Sequence, residues 1–526
     1  MAENTFHIGL CMAGAVSAGA YTAGVVDYLL TALDRWEQHR GEAGVPTHRV
    51  KLSIIGGASA GGMTGFLTAA AMNQRKKDLL FKTWVTMKGN HMMVPLLDCA
   101  DLNDSGYFQS FLNGNFANEL ATEAFAYSSH HWNNTPAYIH PQLKVFATLT
   151  NLEGFPYSIS FNTDLAKQDH TMSVHYDYAC FQFGQPKPKQ DGWIPVNLKT
   201  GLNATMIRDA ALATGAFPLG LPPRSLQRPM DAILANKWIN QSGLALHQDQ
   251  PYYQSVHVDG GLMNNEPFER VRELLNELVW EETNQLNQYN QFNQFRSTIL
   301  MVDPFPGSLI APFPNQPSVL DVSNYSLNAM MQQMKAKPAP IADVLSKNKA
   351  GQFLIAPVRY SSNPLNTRIE GAKAIACGAL SGFSGFICQD FRAHDYALGQ
   401  YNCEQFLRNH FTIPINSLAT HPIFSLGYKG IDLAPYQSSR SPAVQIIPVM
   451  GKQQKPREWP ILNQDPIQSQ KPAIQKRIAA LSKSIPLKGI SKHLFYISGQ
   501  LFLNRWATQK THQFMLKELK QHGLIA

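Results

Sequence analysis

The sequence predicts an α/β protein: three layers, α/β/α, around a mainly parallel central sheet, followed by a largely helical C-terminal extension. Two short apolar runs, residues 6–11 and 51–56, each lead through a glycine-rich turn into a helical pattern. The first pattern runs through Val25, Val26, Leu29, Leu30 and Leu33, the second over residues 61–72. Strand–helix alternation of this kind sets strands parallel with helices on both faces. Residues 144–149 and 298–302 read as further core strands. Late in the chain, residues 474–519 interleave Phe495, Leu501, Phe502, Trp506, Phe514 and Leu519 with Lys and Arg, which predicts helix.

Composition sets bounds. With 526 residues and 44% hydrophobic, the chain can bury a core without covalent staples. Six cysteines without a CxxC pair argue against a disulfide scaffold, a zinc ribbon and a redox dithiol. The 17 histidines contain no HExxH, and His394-Asp395 reads as a structural pair because no ligand spacing accompanies it. No metal and no cofactor are expected. The stretch 374–388 is too short and glycine-rich to span a bilayer. The N-terminus lacks a basic segment followed by a long apolar one, so no signal peptide is expected. The expected location is the cytoplasm or the membrane periphery, with export by a route lacking a cleaved signal left open.

The expected organisation has four parts: 1–310, 311–433, a Pro/Gln-rich linker over 434–472, and a basic amphipathic helical tail over 473–526; the resemblance carried by the motifs that follow implies that the first is a catalytic domain and the second a helical extension packed on it. The linker reading rests on seven prolines among many Gln and Ser. The repeat at 284–295 (NQL-NQY-NQF-NQF) brings an apolar residue every three positions and reads as a slowly drifting helix face, or else as a polar linker. Charge is uneven. Residues 451–526 hold 13 Lys/Arg against 3 Asp/Glu, whereas the rest of the chain is close to neutral. A local basic segment suits an anionic partner. The expected partner is a membrane surface rather than nucleic acid, with docking on the chain's own domain as the other reading of the tail.

Gly57-x-Ser59-x-Gly61 falls between a strand and a helix, the context a nucleophile elbow requires. The serine must sit in a strained turn, and glycines two before and two after remove colliding Cβ atoms. The following helix presents its N-terminal dipole to developing negative charge. Upstream, Gly14, Ala15 and Val16 also follow a strand and open a helix. Their backbone N–H groups either cradle an anion or form a tight packing turn. Downstream, Asp259-Gly260-Gly261 ends a strand, and Asp259 reads as a base for the serine or as a turn or helix cap.

These three elements, in this order, resemble the patatin-like phospholipase family. The stretches Thr150-Asn151-Leu152-Glu153-Gly154, Thr214-Gly215-Ala216-Phe217-Pro218, Asp303-Pro304-Phe305-Pro306 and the run from Phe391 to Cys403 resemble its bacterial branch. The resemblance, from about residue 6 to 410, implies a lipid acyl hydrolase acting on phospholipid or lysophospholipid through a Ser–Asp dyad. Ser59 would be the nucleophile, Asp259 the base, and the amides of Gly14, Ala15 and Val16 the oxyanion hole. The first motif departs from the family's GGGx[RK]G pattern. Ala15 and Val16 replace two glycines and Ala18 the basic residue. N–H donors survive such changes, but a φ angle that needed glycine is put in question. Two other readings remain: a membrane- or protein-binding scaffold with a weakened site, and an α/β-hydrolase whose base is one of His394, His410, His421, His493, His512 and His522.

Overall fold

The computed structural model describes residues 5–102, 108–126, 135–159, 170–184, 191–240, 244, 246, 250–307, 313–319, 321–322, 325–326, 329, 350–361, 366–462, 465–483 and 500–526. Among the described residues nine strands form the central sheet: β1 (Thr5–Met12), β2 (Arg49–Gly57), β3 (Ile139–Ile159), β4 (His170–Phe183), β5 (Ile194–Val196), β6 (Arg224–Pro229), β7 (Tyr252–Asp259), β8 (Ser297–Val302) and β9 (Gln352–Ile355). The path runs β5-β4-β3-β2-β1-β8-β9, with β7 also pairing β3 and β6 pairing β7. The centre, β3-β2-β1-β8-β9, is wholly parallel, and β4, β6 and β7 bring the antiparallel pairings. All eight residues of β1 are buried, as expected of a strand covered on both faces.

The longer helices among the described residues are α1 (Gly19–His39), α2 (Ala60–Gln74), α3 (Asn115–Phe125), α4 (Ala204–Thr214), α5 (Phe268–Thr283), α6 (Gln389–Asn409), α7 (Lys471–Lys483) and α8 (Gln500–Gln521). Among the described residues, the segment Val16–His39 is the one stretch of helix long and apolar enough to cross a membrane, but 78% of its apolar window is buried inside the fold. Its cover is α6. Gly24 and Gly399 each meet the other helix's backbone so closely that a Cβ would come within 2.0 and 2.2 Å of a carbonyl oxygen.

The C-terminal helical region is present, but it is not a separate layer. The expected boundary at 310 cuts through the sheet, because β9 pairs with β8. The expected linker is docked over its first part. Residues 443–445 pair with 412–414, and Val444, Ile446 and Ile447 are fully buried. Pro435, Pro442 and Pro448 thus lie in a packed segment, whereas residues 451–458 are mostly exposed. The Asn/Gln repeat is not helical. Asn287 caps the turn by bonding the Ser297 hydroxyl and the Arg296 N–H, Phe295 is buried, and Leu286 is exposed. Asparagine's local hydrogen bonding favours turns over helix.

In the tail, α7 and α8 flank residues 484–499, which with His493, Phe495 and the side chains of Leu501 and Phe502 lie outside the described residues. Asn504, Thr508, His512, Met515 and Leu519 face inward, and Trp506 and Phe514 face solvent.

Candidate active site

β3 acts as the ruler that brings distant residues together. β2 ends with Gly57 opposite Ala147, and β7 runs the other way to end with Asp259 opposite Leu149. Two residues along a strand is about 7 Å, so 200 residues of sequence collapse to neighbouring chain ends. Ser59 follows β2 with φ 51° and ψ −128°, a strained turn for a non-glycine residue. Its Oγ donates to Asp259 Oδ2 at 2.5 Å. The other carboxylate oxygen of Asp259 accepts from the Gly261 N–H at 2.7 Å, capping the short turn Gly260–Leu262. The cap and the serine contact are therefore both made, one by each oxygen.

Burial pushes the Asp259 carboxyl up to about 6, against the pull of its bonds from Ser59 and Gly261. A carboxylate so placed is basic enough to take a proton near neutral pH. Threonine hydroxyls fix the pair. Thr214 Oγ1 accepts from the Ser59 N–H at 2.9 Å and donates to the Thr148 carbonyl, and Thr150 donates to the Asp259 carbonyl. His257 on β7 and Arg228 on the neighbouring β6 both bind the fully buried Asp177. Burial alone would raise that carboxyl, but Arg228 and His257 outweigh it and hold it near 2.

Close approach explains the flanking glycines. A Cβ at Gly61 would meet the Met12 carbonyl oxygen at 2.2 Å, and one at Gly260 would meet the Thr148 carbonyl oxygen at 1.9 Å. Gly57 has the same role inside the elbow, where a Cβ would strike Gly61 at 2.6 Å.

Gly14, Ala15 and Val16 lie beside this pair. A Cβ on Gly14 would come 3.0 Å from the Ser59 Cβ. Among the described residues, the N–H groups of Gly14, Ala15 and Val16 have no hydrogen-bond acceptor. Val16 takes φ +49°, the left-handed region in which a β-branched residue is a true outlier. The glycine-type backbone is thus kept without the glycine. The strain is held from outside the loop. Ser17 Oγ donates to the Gly382 carbonyl and accepts from the Gly385 N–H at 3.1 Å. Asp395 on α6 in turn caps the N–H groups of Ala376 and Cys377, and Arg392 binds the Gly385 carbonyl. His394 binds Asp395, so the His394-Asp395 pair is part of this anchor.

Ser59 opens on a cavity of about 1100 Å³, its mouth included. The wall is apolar nearly throughout, with Met63, Leu67, Trp84, Phe116, Leu120, Phe125, Phe217, Phe383 and Phe386. No histidine lines it among the described residues. His394, His421, His512 and His522 are held by Asp395, the Phe295 carbonyl, Asp465 and the Ile375 carbonyl, and His410 lies beside Arg440. Among the described residues there is no cluster of His, Cys, Asp and Glu able to hold a metal ion. Sequence reasoning missed the threonine struts, Asn265 wedged between Gly14 and Gly261, and the contribution of residues 380–386. The run from Phe391 to Cys403 was the one signal for the last.

The profile of patatin-like phospholipases matches residues 10–272, half of the chain. The chain belongs to the patatin-like phospholipase family, whose members are esterases acting on lipids. It is also similar to the uncharacterized protein y4iI of Sinorhizobium fredii (strain NBRC 101917 / NGR234), 31% identical over 486 residues. That similarity takes in 79% of this chain and 66% of the length of that protein.

Proposed function

We propose that the protein is a serine lipid acyl hydrolase of phospholipase A or lysophospholipase type, working through an acyl-enzyme on Ser59. The observation that carries this reading is the 2.5 Å contact between Ser59 Oγ and a buried Asp259 at the wall of an apolar cavity. Asp259 takes the Ser59 proton as Oγ attacks the ester carbonyl, and returns it to the leaving alcohol oxygen as the C–O bond breaks. Water, giving its proton to Asp259, then attacks the acyl carbon, and Asp259 passes that proton to Ser59 Oγ as the acyl bond breaks and the fatty acid leaves. The free amides of Gly14, Ala15 and Val16 receive the oxyanion. The absence of histidine from the described cavity wall favours the dyad over a Ser-His-Asp triad.

Access from a membrane surface fits the same picture. Leu219, 71% exposed and held at φ +66°, stands beside the cavity residues Gly220 and Leu221. On α8, Trp506 and Phe514 face solvent among Arg505, Lys510, Lys517 and Lys520. Such a face suits an anionic bilayer, so the protein acts at the membrane periphery. The test is fatty-acid release from lysophospholipid in neutral micelles. Wild type should release it, and folded Ser59→Ala and Asp259→Asn should not. Retention of hydrolysis in both variants would refute the dyad.

A further inference from the structure

Among the described residues three arginines are fully buried, and each has an evident reason. Arg228 pairs with Asp177. Arg477 forks onto Asp101 and takes the carbonyls of Asp98, Phe111 and Ser110. Arg392 holds the carbonyls of Val85, Gly385 and Gly89.

Arg224 differs. It is the one charged side chain among the described residues lining the Ser59 cavity. Its hydrogen-bond partner is a neutral amide, Asn118 Oδ1 at 2.6 Å, and its Nε is buried with no partner. The carboxylate that bears on it, Asp209, is already bound by Arg208 at 2.7 Å. A half-buried guanidinium without a carboxylate of its own contributes little to the fold. A second donor in the same wall is also unsatisfied: Trp84 is buried and its indole N–H has no partner. Arg224 also borders a polar groove with Asn118, Thr122, Arg208 and Asp209, which gives a head group a way to solvent.

We propose that Arg224 is the anion-recognition residue of the cavity: it binds the phosphate of a phospholipid or lysophospholipid whose acyl ester is presented to Ser59, and it selects such lipids over uncharged glycerol esters. A planar guanidinium suits bidentate binding of phosphate oxygens. The inference rests on the hydrolase reading and names its substrate class.

The test is calorimetric titration of folded Ser59→Ala protein with octyl phosphate, 1-O-octylglycerol and inorganic phosphate. Octyl phosphate should bind at least ~10-fold more tightly than the octylglycerol ether. Arg224→Gln should abolish that preference, and Arg224→Lys should keep part of it. Inorganic phosphate alone should bind at least ~10-fold more weakly than octyl phosphate, since the chain fills the cavity. Equal affinity for octyl phosphate and octylglycerol in the parent overturns the proposal and requires no Arg224 variant to fold. A preference that survives Arg224→Gln also overturns it, and inorganic phosphate binding as tightly as octyl phosphate overturns the lipid assignment. The companion assay compares lysophosphatidylglycerol with a monoacylglycerol of the same chain. Arg224→Gln should lower turnover of the first by ~10–100-fold and leave the second within about twofold. Equal losses on both would mark a structural role. If wild type cleaves neither lipid yet keeps the binding preference, the hydrolase reading fails and the anion site stands.

Discussion

Two adjacent strand–turn–helix units, β1 into α1 and β2 into α2, meet the same backbone problem and solve it differently. Each places a non-glycine residue at positive φ, Val16 at +49° and Ser59 at +51°. At Ser59 the solution is local. Gly57 and Gly61 clear the turn, and both lie within two residues of the strained one. At Val16 the solution is distant. A side chain that sterics disfavour there is held by Ser17 against Gly382 and Gly385, more than 360 residues away. Strain can thus be supported by neighbours in sequence or by neighbours in space, and the first kind alone leaves a short motif.

The largest break of this comparison is chemical. Ser59→Ala should lower ester hydrolysis by roughly 10⁴-fold or more, with melting temperature little changed because alanine keeps the backbone of the turn. Asp259→Asn should match it in turnover. Gly61→Ala comes next and attacks the local support. Its Cβ faces the Met12 carbonyl, so a loss of about 3 kcal/mol in denaturant unfolding is expected. Ser17→Ala attacks the distant support. Turnover should fall roughly tenfold with little change in KM, because the amides it steadies are the proposed oxyanion donors. The smallest effect belongs to Val16→Gly, which relieves the strain. Activity should stay within about threefold and stability within about 1 kcal/mol, since relief and the entropy of glycine oppose each other.

Acidity sharpens the same comparison. Asp259 must be ionised to act as base, and its carboxyl titrates at about 6 in the fold. On the acid side kcat/KM should therefore rise tenfold per pH unit and level off above about 6. The stability sign is the reverse. An unfolded aspartate titrates near 3.9, so the folded state holds the proton more tightly. The stabilising contribution is complete below about 4 and is lost as pH rises through 6. Asp259→Asn should remove that slope from urea midpoints measured between pH 4 and 7.

The legibility of the molecule follows the same division. The parallel centre of the sheet was readable because β1, β2 and β8 are short, mainly apolar runs, the first two leading into glycine-rich turns. Gly57, Ser59, Gly61 and Asp259-Gly260-Gly261 were readable because each is a turn whose geometry its own residues dictate. Three features were not readable. Thr148, Thr150 and Thr214 are ordinary residues in sequence and become struts only once β3 and β7 pair. The docking of residues 434–449 was hidden by proline content, which signals a chain without regular hydrogen bonding and says nothing of burial. The Asn/Gln repeat carried a helical spacing that its side-chain hydrogen bonds to the backbone override.

In the proposed mechanism Asp259 activates Ser59. The measurement that meets it most directly is the rate and site of fluorophosphonate modification, read by intact mass and peptide mapping. Wild type should take one adduct, on Ser59, and Ser59→Ala none. Asp259→Asn should react at least ~100-fold more slowly while folded, and Ser17→Ala should still be modified at Ser59. An adduct on another residue, or a rate unchanged by Asp259→Asn, would contradict the claim.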